Sequence, residues 1–209
     1  LNVPLTSHGP YYINLNAREQ DKIDSSVERI IQTAKISDLC GAESMTFHAA
    51  FYMKDSPYDV FDLVEKSLNV IEERLGRLDI EIELRPELTG KTSQFGSLQE
   101  LISLTKSVNS CSPCMDFSHL FARTGKYNTY GEFTHVLERL EEELGRRALD
   151  NMHIHISGIS SNSKGDLKHL NLESSSFNWQ ELIRALKDFN CKGYIICNSP
   201  NLEVDAKMM

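Results

Sequence analysis

Imidazole and carboxylate side chains recur at the ends of short apolar runs: His8 in LTSHGPYY, His48 in MTFHAAFY, Glu87 in IELRPELTG, Asp116 and His119 in CMDFSHLF, and His153 in MHIHIS. A sixth run, YIICNSP, closes on Asn198, an amide where the pattern leads one to expect a carboxylate. A seventh place, Asp166 to His169 in KGDLKHL, reads as loop. These donors suit zinc and similar ions. Structural zinc sites favour thiolates, whereas His and acid with an open position suit activation of bound water. Two such ions can clamp both oxygens of an in-line phosphoryl displacement. Taken singly, a strand-end histidine is more often a hydrogen-bonded core residue. The shared edge carries the weight here, with Glu87 ending a strand of its own. His155, two residues from His153, lies on the same strand face and reads as a donor behind a ligand rather than a ligand. His135, on a helix beside Glu132 and Thr134, reads as solvent-facing.

The elements that must position these groups alternate along the chain. Strand-like runs cover residues 3–7, 43–48, 80–86, 113–116, 151–156 and 193–197. Helical spacing links Ile23, Val27, Ile30 and Ala34; Val60, Val64, Leu68, Ile71 and Leu75; Phe133, Leu137, Leu140 and Leu144; and Trp179, Leu182, Ile183 and Leu186. A weaker helix runs from Leu98 to about Val108. Ile80, Ile82 and Leu84 alternate with Glu81, Glu83 and Arg85, which is unusual for a strand covered on both faces. The Ser-rich stretch 157–177 is the longest irregular segment, of a length that is usually functional or mobile. There is no internal repeat and no linker, so residues 1–209 read as one domain.

Repeated strand–helix alternation predicts a parallel α/β fold whose active site lies at the strands' carboxyl ends. A closed (β/α)8 barrel needs eight units, and the pattern supplies six strands and five helices. The expectation is a TIM-type barrel lacking its first two strand–helix units and its last helix. A doubly wound sheet is disfavoured: no Gly-rich phosphate fingerprint follows an early strand, and the polar groups sit at many strand ends rather than at one switch point.

Bulk properties exclude several classes. At 209 residues and 40% hydrophobic, the chain can bury one sizeable core. No run approaches the roughly 18 apolar residues of a membrane span, and the N-terminus does not read as a signal peptide, so a cytoplasmic protein is expected. A net charge of −8 argues against a generic polyanion binder, although cations bound in a site can locally invert that balance. Five cysteines with no framework spacing, including an isolated Cys111-Ser-Pro-Cys114, read as reduced and mostly buried thiols. The chain opens on Leu1 rather than Met, so its natural beginning is expected to lie upstream.

HGPYYINL, FHAAFY, RPELTGKTSQFGSLQEL, CMDFSHLFA, MHIHISGI and NSPNLEVDA, in that order, resemble successive motifs of the endonuclease IV family, in particular its archaeal-type members. These are apurinic/apyrimidinic endonucleases with a xylose-isomerase-like TIM barrel, and the likeness runs over nearly the whole chain. The resemblance implies a trinuclear zinc centre, with manganese as an alternative ion. His8 and His48 resemble ligands of the first ion, with Glu87 bridging the first and second. Asp116 and His153 resemble ligands of the second, and His119 and His169 of the third, with Asp166 as acid partner. Asp166 stands three residues before His169, where many members have two. Asn198 stands where a Glu usually completes the second site, so that site is expected to hold its ion less tightly. Ala49 and Ala50 replace the family's proline and glycine.

The activity implied is hydrolysis of the phosphodiester 5′ to an abasic site in duplex DNA, a base excision repair step, with Glu87 orienting the attacking water. Tyr11 and Tyr12 match residues that approach the distorted DNA. Lys91, Arg123, Lys126, Lys164 and Lys168 lie in loops where they could meet phosphates. A monomer is expected for the complete protein. Two rivals remain: a metal-dependent sugar isomerase or epimerase on the same barrel, and an impaired homologue that binds only DNA or a partner.

Overall fold

The computed structural model describes residues 3–209. Contacts divide the described chain into two compact units. One runs through Glu87 and takes in Ser93–Pro113; the other comprises Leu88–Thr92 and Cys114–Met209.

The first unit holds β1 (Leu5–His8), α1 (Gln20–Leu39), β2 (Ala42–Phe47), α2 (Pro57–Arg77), β3 (Glu83–Pro86) and α3 (Leu98–Ser107). The strands pair in the order β1-β2-β3, all parallel. Parallel neighbours need long crossovers, which α1 and α2 supply. Both helices bury the faces that the periodicity marks: Val27, Ile30 and Ala34 on α1; Val60, Val64, Leu68, Ile71 and Leu75 on α2. These pack with Met45, Phe47 and Leu84 of the sheet into one cluster. Ser56 caps α2 ahead of Pro57, and Ser97 with Glu100 forms a capping box on α3.

The charged alternation in 80–86 resolves in two ways. The strand begins only at Glu83, so Ile80 and Ile82 lie outside it. Arg85 is nevertheless 1% exposed; its guanidinium pairs with Glu83 and donates to the Pro113 carbonyl. A buried charge of this kind persists only when paired.

The second unit holds β4 (Cys114–Asp116), α4 (Phe117–Thr124), α5 (Tyr130–Leu144), α6 (Arg147–Asp150), β5 (Met152–Ile156), β6 (Gly158–Asn162), β7 (Gly165–Leu170), α7 (Trp179–Asp188), β8 (Gly193–Cys197) and α8 (Glu203–Ala206). β4, β5 and β8 form a parallel sheet in that order. Stretch 157–177 is not a loop: β6 and β7 make an antiparallel hairpin, followed by a single 3-10 turn at Leu172–Ser174. The hairpin turn is local chemistry, because Lys164 N donates to Asn162 Oδ1 and Gly165 takes φ +107°. Asp166 and His169 therefore lie on a strand, which corrects the loop expectation. α4 is a further departure; it starts directly after β4 and is too short for periodicity to reveal.

Cys111 and Cys114 are both buried thiols, with no disulfide between them. Burial pushes the Cys111 thiol up, the opposite of an activated redox thiol.

Candidate metal centres

In the first unit the three strands end together. His8 is opposite Thr46, and Phe47 is opposite Pro86. Gly9 N donates to Thr46 O at 2.7 Å and Glu87 N to Phe47 O at 3.0 Å. The register thus brings His8, His48 and Glu87 to one corner, with their ligand atoms within 4.8 Å of one another. His8 Nδ1 lies 2.6 Å from the Gly9 carbonyl, which turns Nε2 away from the backbone. It points at Glu87 Oε2, 3.0 Å off, and His48 Nε2 lies 3.2 Å from the same oxygen. One carboxylate oxygen thus meets two imidazole nitrogens, a convergence that a proton or a cation can bridge. Glu87 is 2% exposed, while the His8 and His48 side chains are 31% and 19% exposed, so the corner is open on its imidazole side.

Tyr11 stands at that opening. Its ring centroid is 5.3 Å from His8 and 5.7 Å from His48. It is 75% exposed and Tyr12 is 78% exposed. An exposed aromatic face beside cation-binding groups is a platform on which a base or sugar can stack.

The second unit repeats the carbonyl contact with longer-range partners. Asp116 closes β4 and caps α4: its Oδ1 accepts from His119 N at 2.7 Å. His119 lies in the first turn of α4 and points Nδ1 at Leu88 O, 3.0 Å, with Asp116 Oδ2 at 3.3 Å. His169, on β7, points Nδ1 at the Asn198 backbone carbonyl, 3.0 Å. With Nδ1 of each ring against a carbonyl, the two Nε2 atoms face each other at 3.5 Å. Backbone carbonyls orient metal-binding imidazoles in this way.

His169 is placed by the docking of its hairpin. Asp166 N donates to Gly90 O, and Thr92 N to Lys164 O. Beyond the hairpin, Leu172 N donates to Asp205 Oδ2 at 2.7 Å, with Asp205 1% exposed. Asp205 Oδ1 accepts from Asn201 in the segment that carries Asn198. The Asp166 carboxylate lies over Gly90, where a Cβ would come within 2.5 Å of Oδ1. Among the described residues Asp166 joins no group of three ligand atoms within 4.8 Å.

His153 falls in a different grouping. β4 and β5 pair Cys114 with His153 and Asp116 with His155. Cys114, His153 and His155 then present ligand atoms within 4.8 Å of one another, all buried. Arg123 turns inward: its Nη1 donates to Thr89 O, Thr89 Oγ1 and Lys91 O, so it braces the loop after β3. Lys91, Lys126, Lys164 and Lys168 are exposed. His135 is exposed as expected, with a side chain 70% accessible beside Glu138.

Sequence reasoning missed Asp205, the bracing role of Arg123, and the carbonyls of Leu88 and Asn198. A backbone carbonyl has no residue signature. Cys114 could have been found, because it stands two residues before Asp116 on the same strand face.

Residues 1–208 match the family model described as xylose isomerase-like TIM barrel. Over all 209 residues the chain is 42% identical to an uncharacterized protein of Methanocaldococcus jannaschii, of which it spans 76%. Over 186 residues, 87% of this chain, it is 25% identical to "Probable endonuclease 4" of Aster yellows witches'-broom phytoplasma, spanning 62% of that protein. Among solved structures, endonuclease IV from Thermus thermophilus aligns over 98% of this chain and 72% of its own, with TM-score 0.72 and 22% identity. A D-tagatose 3-epimerase-like protein aligns over 99% and 74%, with TM-score 0.73 and 17% identity. Both likenesses concern the fold, which is α/β of the TIM-barrel type. No described helix is long and apolar enough to cross a membrane.

Proposed function

This chain belongs to the xylose isomerase-like TIM barrel family, and on that premise we propose that it is a divalent-metal-dependent phosphodiester hydrolase acting at abasic sites in duplex DNA. One observation carries the reading. In each unit, imidazoles with Nδ1 against a carbonyl bring Nε2 to a second ligand atom: His8 to Glu87 Oε2 at 3.0 Å, and His119 to His169 Nε2 at 3.5 Å. Such convergence of imidazole and carboxylate atoms is a donor set that suits zinc or manganese.

His8, His48 and Glu87 would hold one ion; His119, His169 and Asp116 would hold another. Bound there, a divalent ion would supply Lewis acidity towards the phosphoryl oxygen and the departing 3′ oxygen, and would make water acidic enough to attack near neutral pH. Glu87, buried at its corner, would help hold the ion and orient the attacking water. Tyr11 stacks against the exposed deoxyribose or the base beside it. Lys91, Lys126, Lys164 and Lys168 meet phosphates, so binding should weaken with salt even though the chain is acidic overall. Recognition of this kind reads a flipped or collapsed abasic sugar more than base edges.

The relatives named endonuclease 4 support this substrate class. Fold alone does not choose it, since epimerases share the architecture at similar TM-scores. The test uses the chain after chelation and reloading with zinc or manganese, offered duplex with a single abasic site. The expected product is one nick 5′ to the lesion, absent from undamaged duplex and lost again on chelation. Metal-loaded protein that leaves the abasic duplex intact and epimerises a ketose would replace this reading with the isomerase one.

A further inference from the structure

Arg123 reads from sequence as a cation for phosphates, but the fold gives its guanidinium other partners. It lies on α4 four residues after His119, so the two side chains share one helix face. Both reach the same strap, Leu88–Thr92, which belongs to no helix or strand. His119 Nδ1 lies 3.0 Å from Leu88 O. Arg123 Nη1 donates to Thr89 O at 3.2 Å, to Thr89 Oγ1 at 3.0 Å and to Lys91 O at 2.6 Å. The strap also meets the hairpin that carries His169. Asp166 N donates to Gly90 O at 3.3 Å, and Thr92 N to Lys164 O at 3.2 Å. The approach is so close that neither Gly90 nor Gly165 has room for a Cβ. Leu88 and Thr89 are both 0% exposed, so their carbonyls depend on donors from the protein itself.

We propose that Arg123 is the positioning residue of the His119–His169 pair rather than a contact to DNA phosphate. The proposal rests on the metal-dependent hydrolase reading for what the pair holds. Arg123 draws the strap onto α4; the strap then sets a carbonyl against His119 and seats the hairpin bearing His169. The separation of the two Nε2 atoms, 3.5 Å, is thus governed by a guanidinium that touches neither ring. Charge alone cannot do this. A lysine carries the same charge but lacks the planar, rigid set of donors that several acceptors on one strap require.

The test titrates zinc or manganese into chelated protein without DNA. Arg123→Ala and Arg123→Lys should each weaken one ion about tenfold and leave the other at wild-type affinity. In His169→Gln, where the pair is already broken, adding Arg123→Ala should change nothing further. Millimolar guanidinium should restore the lost affinity to Arg123→Ala. Thr89→Val removes one acceptor at nearly constant shape and should weaken the same ion by a smaller factor, which decides the matter even if Arg123→Ala does not fold. Binding to abasic duplex over a salt series gives a second reading. The slope of log K against log salt should match wild type, whereas loss of a phosphate contact would reduce it by about 1. Unchanged metal affinity, equal loss at both ions or a reduced slope would overturn the proposal. A chain with the expected metal behaviour that leaves abasic duplex uncut would remove the hydrolase reading and keep this one.

Discussion

The corner at His8 and the pocket at His169 solve one problem by different means. At the corner, the imidazole is oriented by its own neighbour: His8 Nδ1 bonds the next residue's carbonyl, and the carboxylate arrives where β3 ends. At the pocket, His119 is oriented by a carbonyl 31 residues away and His169 by one 29 residues away. The His169 contact joins β7 to the segment after β8, two elements that Asp205 also ties together through Leu172 and Asn201. The corner is a property of strand ends; the pocket is a property of assembly. Damage to the chain at a distance should therefore reach the pocket and spare the corner.

The largest effect is expected at the corner itself. Glu87→Gln keeps the shape but removes the charge that faces His8 and His48, and abasic-site nicking should fall by about 10^3-fold. Metal analysis should show the loss of about one ion. Retention of full metal content and rate would end the corner's claim to be a centre.

Gly165→Ala tests the pocket's dependence on docking. A Cβ there would sit 2.1 Å from the Gly90 carbonyl, on a backbone with φ +107°. The hairpin must shift, at a cost of about 3 kcal/mol. Thermal melts should register the loss, and metal content should drop by the pocket's ion while the corner's remains. Equal loss at both sites would erase the distinction drawn between them.

Tyr11→Ala should act on substrate alone. Removing the exposed ring forfeits about 1–2 kcal/mol of stacking, read as a roughly tenfold rise in KM on abasic duplex with kcat and metal content little changed.

The smallest effect concerns the scaffold of the second unit. Backbone donors at Asn128, with the Thr129 hydroxyl and the Tyr127 amide, hold the Glu132 carboxyl down to about 2 from an ordinary 4.5. A depressed carboxyl stabilises the fold fully above its unfolded value and loses that contribution as pH falls from about 4.5 towards 2. Denaturant titrations across that window should show acid-dependent weakening, and Glu132→Gln should flatten it.

Much of this is legible in the chain. Val60 to Leu75 repeats at helical spacing and is buried at those positions. His8, His48 and Glu87 each follow an apolar run, and parallel strands in register leave such residues at one edge. The Asp166–His169 segment reads wrongly as loop because Ser-rich composition resembles one, although Asn162 to Gly165 carries a turn signal. The eight residues of α4 stay hidden because one helical turn or two gives periodicity nothing to repeat. Asp205 is invisible for another reason: its value lies in a backbone amide, Leu172 N, that any residue would have offered.

By itself the sequence determined the alternation of strands and helices, the family, and the residue types gathered at strand ends, because hydrophobic period and donor chemistry are written residue by residue. Only the tertiary structure decided which nitrogen of His8, His119 and His169 meets a backbone carbonyl, that His153 stands with Cys114 and His155, and that Arg123 braces a loop. Those outcomes depend on carbonyls and strand registers brought together across the chain, and distance in space is not encoded in any one residue's identity.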